Sequence, residues 1–251
     1  KSLATIYDGI SSITFNGNLD LKITDINNLD FRYEMYFEKN QTFSVSLFHK
    51  KFNNLIEISS FQADPDNIQP VNTEKAEVLG AEIEFRKNIF SNLTYNLNLG
   101  LNASYINSRV YIQGEELNSR LSNLRDNEKL SESNGDYFRN MQGQAPYIVN
   151  LSLSYQNIDL GLETGFYYHV KGRTLSIVSM NANPDIYTDP FNSLNFNLSK
   201  KINSNFSLGI SCHNILDQNK TMTTDSYRAK KEVFKSYSPG RSFGFKLNYK
   251  I

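Results

Sequence analysis

Residues 93–105 read Leu93-Thr94-Tyr95-Asn96-Leu97-Asn98-Leu99-Gly100-Leu101-Asn102-Ala103-Ser104-Tyr105. Every odd position is apolar or aromatic, and every even one is small or polar. Against the chain's 39% apolar background, thirteen consecutive matches to one alternating template arise by chance with a probability of roughly 10⁻⁴. A strand places the two sets on opposite faces of a sheet, because successive Cβ atoms point to opposite sides.

Working outward, the same period recurs. Leu29, Phe31, Tyr33, Met35 and Phe37 alternate with Asp30, Arg32, Glu34 and Tyr36. Phe43, Val45 and Leu47 oppose Thr42, Ser44 and Ser46, and Leu79, Ala81, Ile83 and Phe85 oppose Gly80, Glu82, Glu84 and Arg86. Five further segments, beginning near Tyr147, Leu160, Leu194, Phe206 and Ser242, behave alike. The pattern predicts nine strands, many of about ten residues, the length that a tilted strand needs to cross a bilayer. Connections are about 4, 17, 4, 39, 2, 21, 4 and 25 residues long, so short and long strictly alternate. Outer-membrane barrels sort their connections in this way, with short periplasmic turns and long extracellular loops. A soluble β-sandwich also alternates along its strands but has no reason to sort its loops. Aromatic residues gather towards the strand ends, with Phe43, Phe85, Tyr95, Tyr155, Phe206 and Tyr249 on the short-turn side and Tyr105, Tyr147 and Tyr168 on the other. Such girdles place ring bodies in lipid and polar tips at the headgroups.

Composition agrees. The 251 residues carry 26 Lys+Arg and 26 Asp+Glu, so no one-sign field for nucleic acid is present. No run of about 18 apolar residues exists, which excludes a membrane-spanning helix. A single Cys and six Pro exclude a disulfide scaffold and a Pro-rich linker. Residues 1–30 lack a secretory leader pattern, so either a leader has been removed or the sequence is a piece of a longer chain.

Nine is an odd number, and single-chain bacterial barrels have an even one. Two arrangements satisfy the edges. Ile13, Phe15, Leu19, Leu21 and Ile23 could form a tenth strand that closes a small barrel, acting as an adhesin or surface hydrolase. Alternatively, the nine strands belong to a larger barrel.

Several runs favour the second. Gly17-Asn18-Leu19-Asp20-Leu21-Lys22 leads into Leu29-Asp30-Phe31-Arg32-Tyr33-Glu34, and Gly80-Ala81-Glu82-Ile83-Glu84-Phe85-Arg86-Lys87 follows. Then come Gly143-Gln144-Ala145-Pro146-Tyr147-Ile148-Val149-Asn150-Leu151, Asn214-Ile215-Leu216-Asp217 and Pro239-Gly240-Arg241-Ser242-Phe243. In their order and spacing these resemble the C-terminal β-barrel of TonB-dependent outer-membrane receptors, especially those of Bacteroidetes-type bacteria. The resemblance implies an all-β, antiparallel transmembrane β-barrel, its nine strands here being the C-terminal part of a 22-strand barrel. Residues 1–28 would be an extracellular loop segment. Residues 29–251 would be barrel strands with long loops at 59–75, 107–145, 172–192 and 216–240. The implied activity is uptake of a scarce ligand, such as an iron chelate, vitamin, glycan or peptide, in the outer membrane of a Gram-negative bacterium. The implied partners are outer-membrane lipid, the protein's own N-terminal plug and upstream strands, the TonB-ExbB-ExbD complex acting through the plug, and a surface lipoprotein. The last strand would signal to the barrel-assembly machinery, although it ends in Ile251 where the family has Phe or Trp. No cofactor, no enzymatic activity and no nucleic acid are implied.

Two groups of candidate residues follow. Arg32, Glu34, Glu82, Glu84, Arg86, Glu163, His169 and Lys171 share the polar parity and would face the lumen or plug; the simpler alternative is wetted charge paired between neighbouring strands. Tyr111, Tyr137, Arg139, Asp185, Tyr187, Tyr227 and Arg228 lie in long connections and are ligand-binding candidates. Phe138, Asp189 and Tyr237 accompany them. The charged stretch 115–135, with Glu116 and Arg120, reads as a solvated mobile loop. The three His residues lack metal-ligand spacing. His213 near Asn214 and Asp217 would be the starting point if the chain were catalytic. Cys212 shares the apolar parity and reads as lipid-facing.

Overall fold

The computed structural model describes residues 5–8, 13–37, 41–60, 67–121, 131–133, 135–180, 183–226 and 229–250. Chain order gives β1 (Thr5–Asp8), β2 (Ile13–Asn16), β3 (Asp25–Phe37), β4 (Gln41–Ser60), β5 (Asn67–Ser91) and β6 (Tyr95–Ile112). Next come α1 (Gly114–Leu121), β7 (Ser131–Ser133), β8 (Asp136–Arg139), β9 (Tyr147–Asn157), β10 (Leu162–Lys171), β11 (Thr174–Ser179) and β12 (Ile186–Thr188). The series ends with β13 (Phe191–Lys201), β14 (Phe206–His213), β15 (Lys220–Ser226), β16 (Ala229–Tyr237) and β17 (Ser242–Tyr249).

The nine strands expected from the alternation are β3, β4, β5, β6, β9, β10, β13, β14 and β17. Each pairs antiparallel with the next in this order. The register keeps like with like. Met35, Phe43, Phe85, Leu101, Leu151, Tyr168 and Leu194 form one apolar row across seven strands. The adjacent row, on the opposite face, is Glu34, Ser44, Glu84, Asn102, Asn150, His169 and Ser193. The apolar face is uncovered: Leu29 is 72% exposed, Phe31 65% and Phe245 74%. A sandwich would bury those side chains under a second sheet. Lipid is the environment that a continuous apolar face of this extent fits. Cys212 sits in this face between Phe196 and Phe243.

The sheet is open. Among the described residues β3 pairs only with β4, and β17 only with β14. The tenth-strand alternative is not formed. β2 holds only Ile13–Asn16, pairing with β1 and, in parallel, with Asn67 and Ile68 of β5. Leu19, Leu21 and Ile23 lie outside any strand. Polar side chains tie this segment down: Asn18 donates to the Pro70 carbonyl (3.0 Å), and Lys22 N–H donates to Asn72 Oδ1 (2.8 Å).

The long connections are more ordered than alternation suggests. The β4–β5 ladder continues to Ser60↔Ile68, so most of 59–75 is strand. β6 runs on to Ile112, and β8 folds back to pair with it inside the 107–145 connection. Connections 172–192 and 216–240 contain β11, β12, β15 and β16, which pair in that order. This second tier repeats the order β10, β13, β14, β17 of the wall, each upper strand continuing a lower one along the chain. β3 begins at Asp25, within the segment 1–28. The physical cause is general: backbone groups in long connections still need partners, and pairing supplies them. Outside lipid neither face of a strand must be apolar, so no alternation marks it.

Two of the short turns are made by Asn. Asn92 Oδ1 accepts from Thr94 N (2.9 Å) and Tyr95 N (2.6 Å), and Asn203 Oδ1 accepts from Asn205 N (3.0 Å) and Phe206 N (2.8 Å). These are Asx turns. The small apolar core lies on the concave side, where Met141 packs with Ala76, Val78 and Val110 beside Phe48, Phe52 and Ile106.

Gly80 shows how tightly that side is packed. A Cβ there would lie 2.2 Å from Cζ of Phe48, its cross-strand partner. Gly80→Ala is therefore expected to destabilise the β4–β5 ladder by about 1–3 kcal/mol, the usual cost of overpacking. Urea unfolding of the full-length protein checks this, and adding Phe48→Ala should restore most of the loss.

Candidate functional site

Two polar constellations are the candidates for functional chemistry. The first is the concave wall. Arg32, Glu34, Glu82, Glu84, Arg86, Glu163, His169 and Lys171 all fall on its polar parity in the observed register. Six of the eight are held by side-chain partners. Arg32 bonds to Glu34, donates to Ser46 Oγ (3.2 Å) and reaches Glu84 (3.5 Å); Arg86 pairs with Glu84 at 2.8 Å. Gln156 donates to Glu163 (2.9 Å), and His169 Nδ1 lies 2.7 Å from Asn150 Oδ1. Inward glycines, Gly165, Gly209 and Gly244, leave a hollow of ≈ 620 Å³ beside Glu163 and Tyr167. A second hollow of ≈ 510 Å³ lies beside Glu84, Arg86 and His169. The wall thus offers many hydrogen-bonding groups to whatever occupies the concavity.

The second constellation lies on the long-loop side and is buried. The Arg139 fork grips both Glu57 oxygens, at 2.7 and 3.1 Å, and its Nε donates to Glu116 at 2.6 Å. Glu116 also binds Arg120, its i+4 neighbour on α1, at 2.8 Å. Arg120 continues to Asp185 at 2.8 Å, and Asp185 accepts from Ser179 N at 2.8 Å. Side-chain exposure across these five residues is 5% or less. Burial alone would lower the Arg139 pKa; the charges and hydrogen bonds of Glu57 and Glu116 outweigh it and hold the guanidinium above its ordinary range. The chain of ion pairs fastens β4, α1, β8 and the approach to β12 into one body.

The sequence candidates fall out as follows. Arg139 and Asp185 are inside this network, not facing solvent. Tyr111 meets Phe138 edge to face, ring centroids 4.7 Å apart. Tyr187 carries the Arg173 guanidinium over its ring at 4.2 Å, and Arg173 also binds Asp189 and Asp225. Tyr137 lies in β8, half-buried, opposite Ile112. Tyr227 and Arg228 lie outside the described residues. The reading of 115–135 as solvated fails at Glu116 and Arg120, which are buried in a helix; their i,i+4 spacing of opposite charges was the available signal. Glu57 carried no signal beyond its charge. Two quoted runs meet in space: Asn214 donates to the Gly240 carbonyl (3.0 Å), and Arg241 donates to the Ile215 carbonyl (2.9 Å).

This architecture has counterparts. Residues 2–215 match the family model described as TonB dependent receptor-like, beta-barrel. The chain belongs to that family. Its members are outer-membrane transporters and receptors rather than enzymes. Similar solved structures include a mutant of the ferric enterobactin receptor PfeA from Pseudomonas aeruginosa, 16% identical, TM-score 0.57, covering 94% of this chain and 32% of that one. The copper transporter OprC is 14% identical at TM-score 0.57, covering 94% and 34%. The siderophore receptor PiuA from Acinetobacter baumannii is 14% identical at TM-score 0.57, covering 89% and 28%. At these identities the likeness is one of fold. The chain spans about a third of the length of the solved chains that it matches. No curated protein matches it in sequence.

The network makes a prediction. Arg139→Met leaves Glu57 and Glu116 buried without their main counter-charge, at an expected cost of about 3–5 kcal/mol to the loop assembly. Limited proteolysis should then cut 107–145 much faster than in the parent. Adding Glu57→Gln should recover part of the protection.

Proposed function

We propose that this chain forms the C-terminal nine strands of a 22-strand outer-membrane barrel that takes up a scarce ligand, energised through TonB. The observation that carries this is the open sheet with an uncovered apolar outer face. Over ten residues each edge holds about five N–H and five C=O groups unpaired, and in hydrocarbon these cost several kcal/mol each. The total exceeds the whole stability of a domain. Neighbouring strands must therefore cover both edges, and 22 − 9 = 13 of them would lie upstream.

In this reading the concave wall, with Arg32, Glu34, Glu82, Glu84, Arg86, Glu163, His169 and Lys171, grips a plug supplied by the upstream chain. TonB-ExbB-ExbD would pull on that plug from the periplasm. Segment 1–28 and the four long connections lie outside the cell, and β17 presents the barrel-assembly signal. Tyr111, Tyr137, Tyr187, Tyr227 and Arg228 supply ligand contacts, while Arg139 and Asp185 serve the site by fixing the loops. The ligand classes are an iron chelate, vitamin, glycan or peptide, and a surface lipoprotein would cap the loops. The host is a Gram-negative bacterium of the Bacteroidetes type, as the order of the quoted runs suggests.

The test is the DNA immediately upstream of the Lys1 codon. The expected result is a continuing frame that encodes a plug and about thirteen more alternating strands, as a 22-strand barrel requires. A signal peptide ending beside Lys1 would overturn the reading.

A further inference from the structure

Beyond the wall and the ionic network, the second tier forms a half-open cavity of ≈ 200 Å³. It lies where β2, the tip of β4, β11, β12, β15 and β16 converge, and Ile13, Ile177, Pro184, Ile186 and Phe234 form its apolar lining. We propose that this cavity is a binding site for one apolar group, a six-membered ring or a short branched chain, carried on a small molecule with a polar substituent.

Size comes first. An apolar cavity of about 150 Å³ stays dry and takes a benzene-sized guest, so this one holds a ring with one or two further heavy atoms. Chemistry comes second. The lining holds five apolar residues and four polar ones, Ser60, Ser179, Asn183 and Thr224; an apolar surface with placed polar groups is the usual make-up of a small-molecule pocket. The hydroxyls of Ser60 and Ser179, both in the lining, are hydrogen-bonded to each other at 3.5 Å and give the cavity one polar edge, against which the guest's polar substituent would lie. Phe234 is 45% exposed and gives a ring a surface to stack on.

Rigidity comes third. Asp185 lies between the lining residues Pro184 and Ile186. Its carboxylate is held by Arg120 and Ser179 N, and its carbonyl accepts from Thr224 Oγ1 at 3.0 Å. The ionic network therefore sets the cavity walls in advance, which lowers the cost of ordering them around a guest. The cavity is built by second-tier strands and the tip of β4, beyond the apolar rows of the wall, so a lipid chain is not its natural occupant. The inference goes beyond the uptake reading and holds whether or not the guest is transported.

The experiment uses the full-length protein in nanodiscs and 4-fluorophenol as probe, followed by ¹⁹F NMR line broadening. The expected result is broadening above that given by empty nanodiscs, abolished in Ile177→Trp, which fills the cavity. Phe234→Ala, at an exposed position that folding tolerates, should weaken binding at least three-fold. Equal broadening in parent, Ile177→Trp and Phe234→Ala would mean partition into lipid and would overturn the proposal. So would broadening no greater than that of empty nanodiscs. If Ile177→Trp does not fold, the Phe234→Ala comparison alone decides, and unchanged affinity there sinks the site.

Discussion

In hydrocarbon a backbone N–H or C=O has no water to turn to, so each strand of the wall needs a neighbour on both sides. The ladder that meets this need also couples the faces of all nine strands. Because side chains repeat every two residues, a one-residue slip in any pair would turn that strand's apolar set into the lumen. The row from Met35 to Leu194 and the neighbouring row from Glu34 to Ser193 exist together for this reason. The same coupling explains the polar composition. Asn is well suited to both remaining tasks, closing Asx turns at Asn92 and Asn203 and laddering across the inner face, as where Asn88 donates to Asn98 at 2.9 Å. Thirty-two Asn in the sequence are thus compatible with a membrane protein whose mean apolar content is low.

Legibility followed the lipid. Where lipid covers one face, it demands about ten alternating residues, and from these the strand count, order and parity could be read directly. The inward parity of Arg32, Glu84 and His169 came with them. Where lipid stops, alternation stops. Lys220-Thr221-Met222-Thr223-Thr224-Asp225-Ser226 forms β15 with no apolar face to announce it, and the outer half of β5 holds Asn72, Thr73 and Lys75 paired with β4. Such strands are specified by their partners, which lie far away in sequence. The ionic network was hidden for the same reason. Glu57 meets Arg139 across 82 positions and Arg120 meets Asp185 across 65, separations over which a sequence offers no spacing rule. Only the local Glu116–Arg120 step was within reach of one.

The long-loop side also raises a question of economy. Its buried apolar residues are few among those described; Ala76, Val78, Val110 and Met141 form one cluster, and Leu175 and Val178 are buried in β11. Five buried charges do the fastening. A buried ion pair is a poor source of net stability, since desolvation offsets most of the attraction, but its disruption is costly because a charge is left alone. The network is therefore best understood as selecting one arrangement of the loops over others. The planar fork of Arg139 engages Glu57 through two parallel bonds and Glu116 through a third direction, a geometry that the compact ammonium of lysine cannot reproduce. Orientation, not charge alone, is what the site requires. It follows that the loops can be rich in polar and charged residues, as a water-facing surface demands, and still present fixed walls.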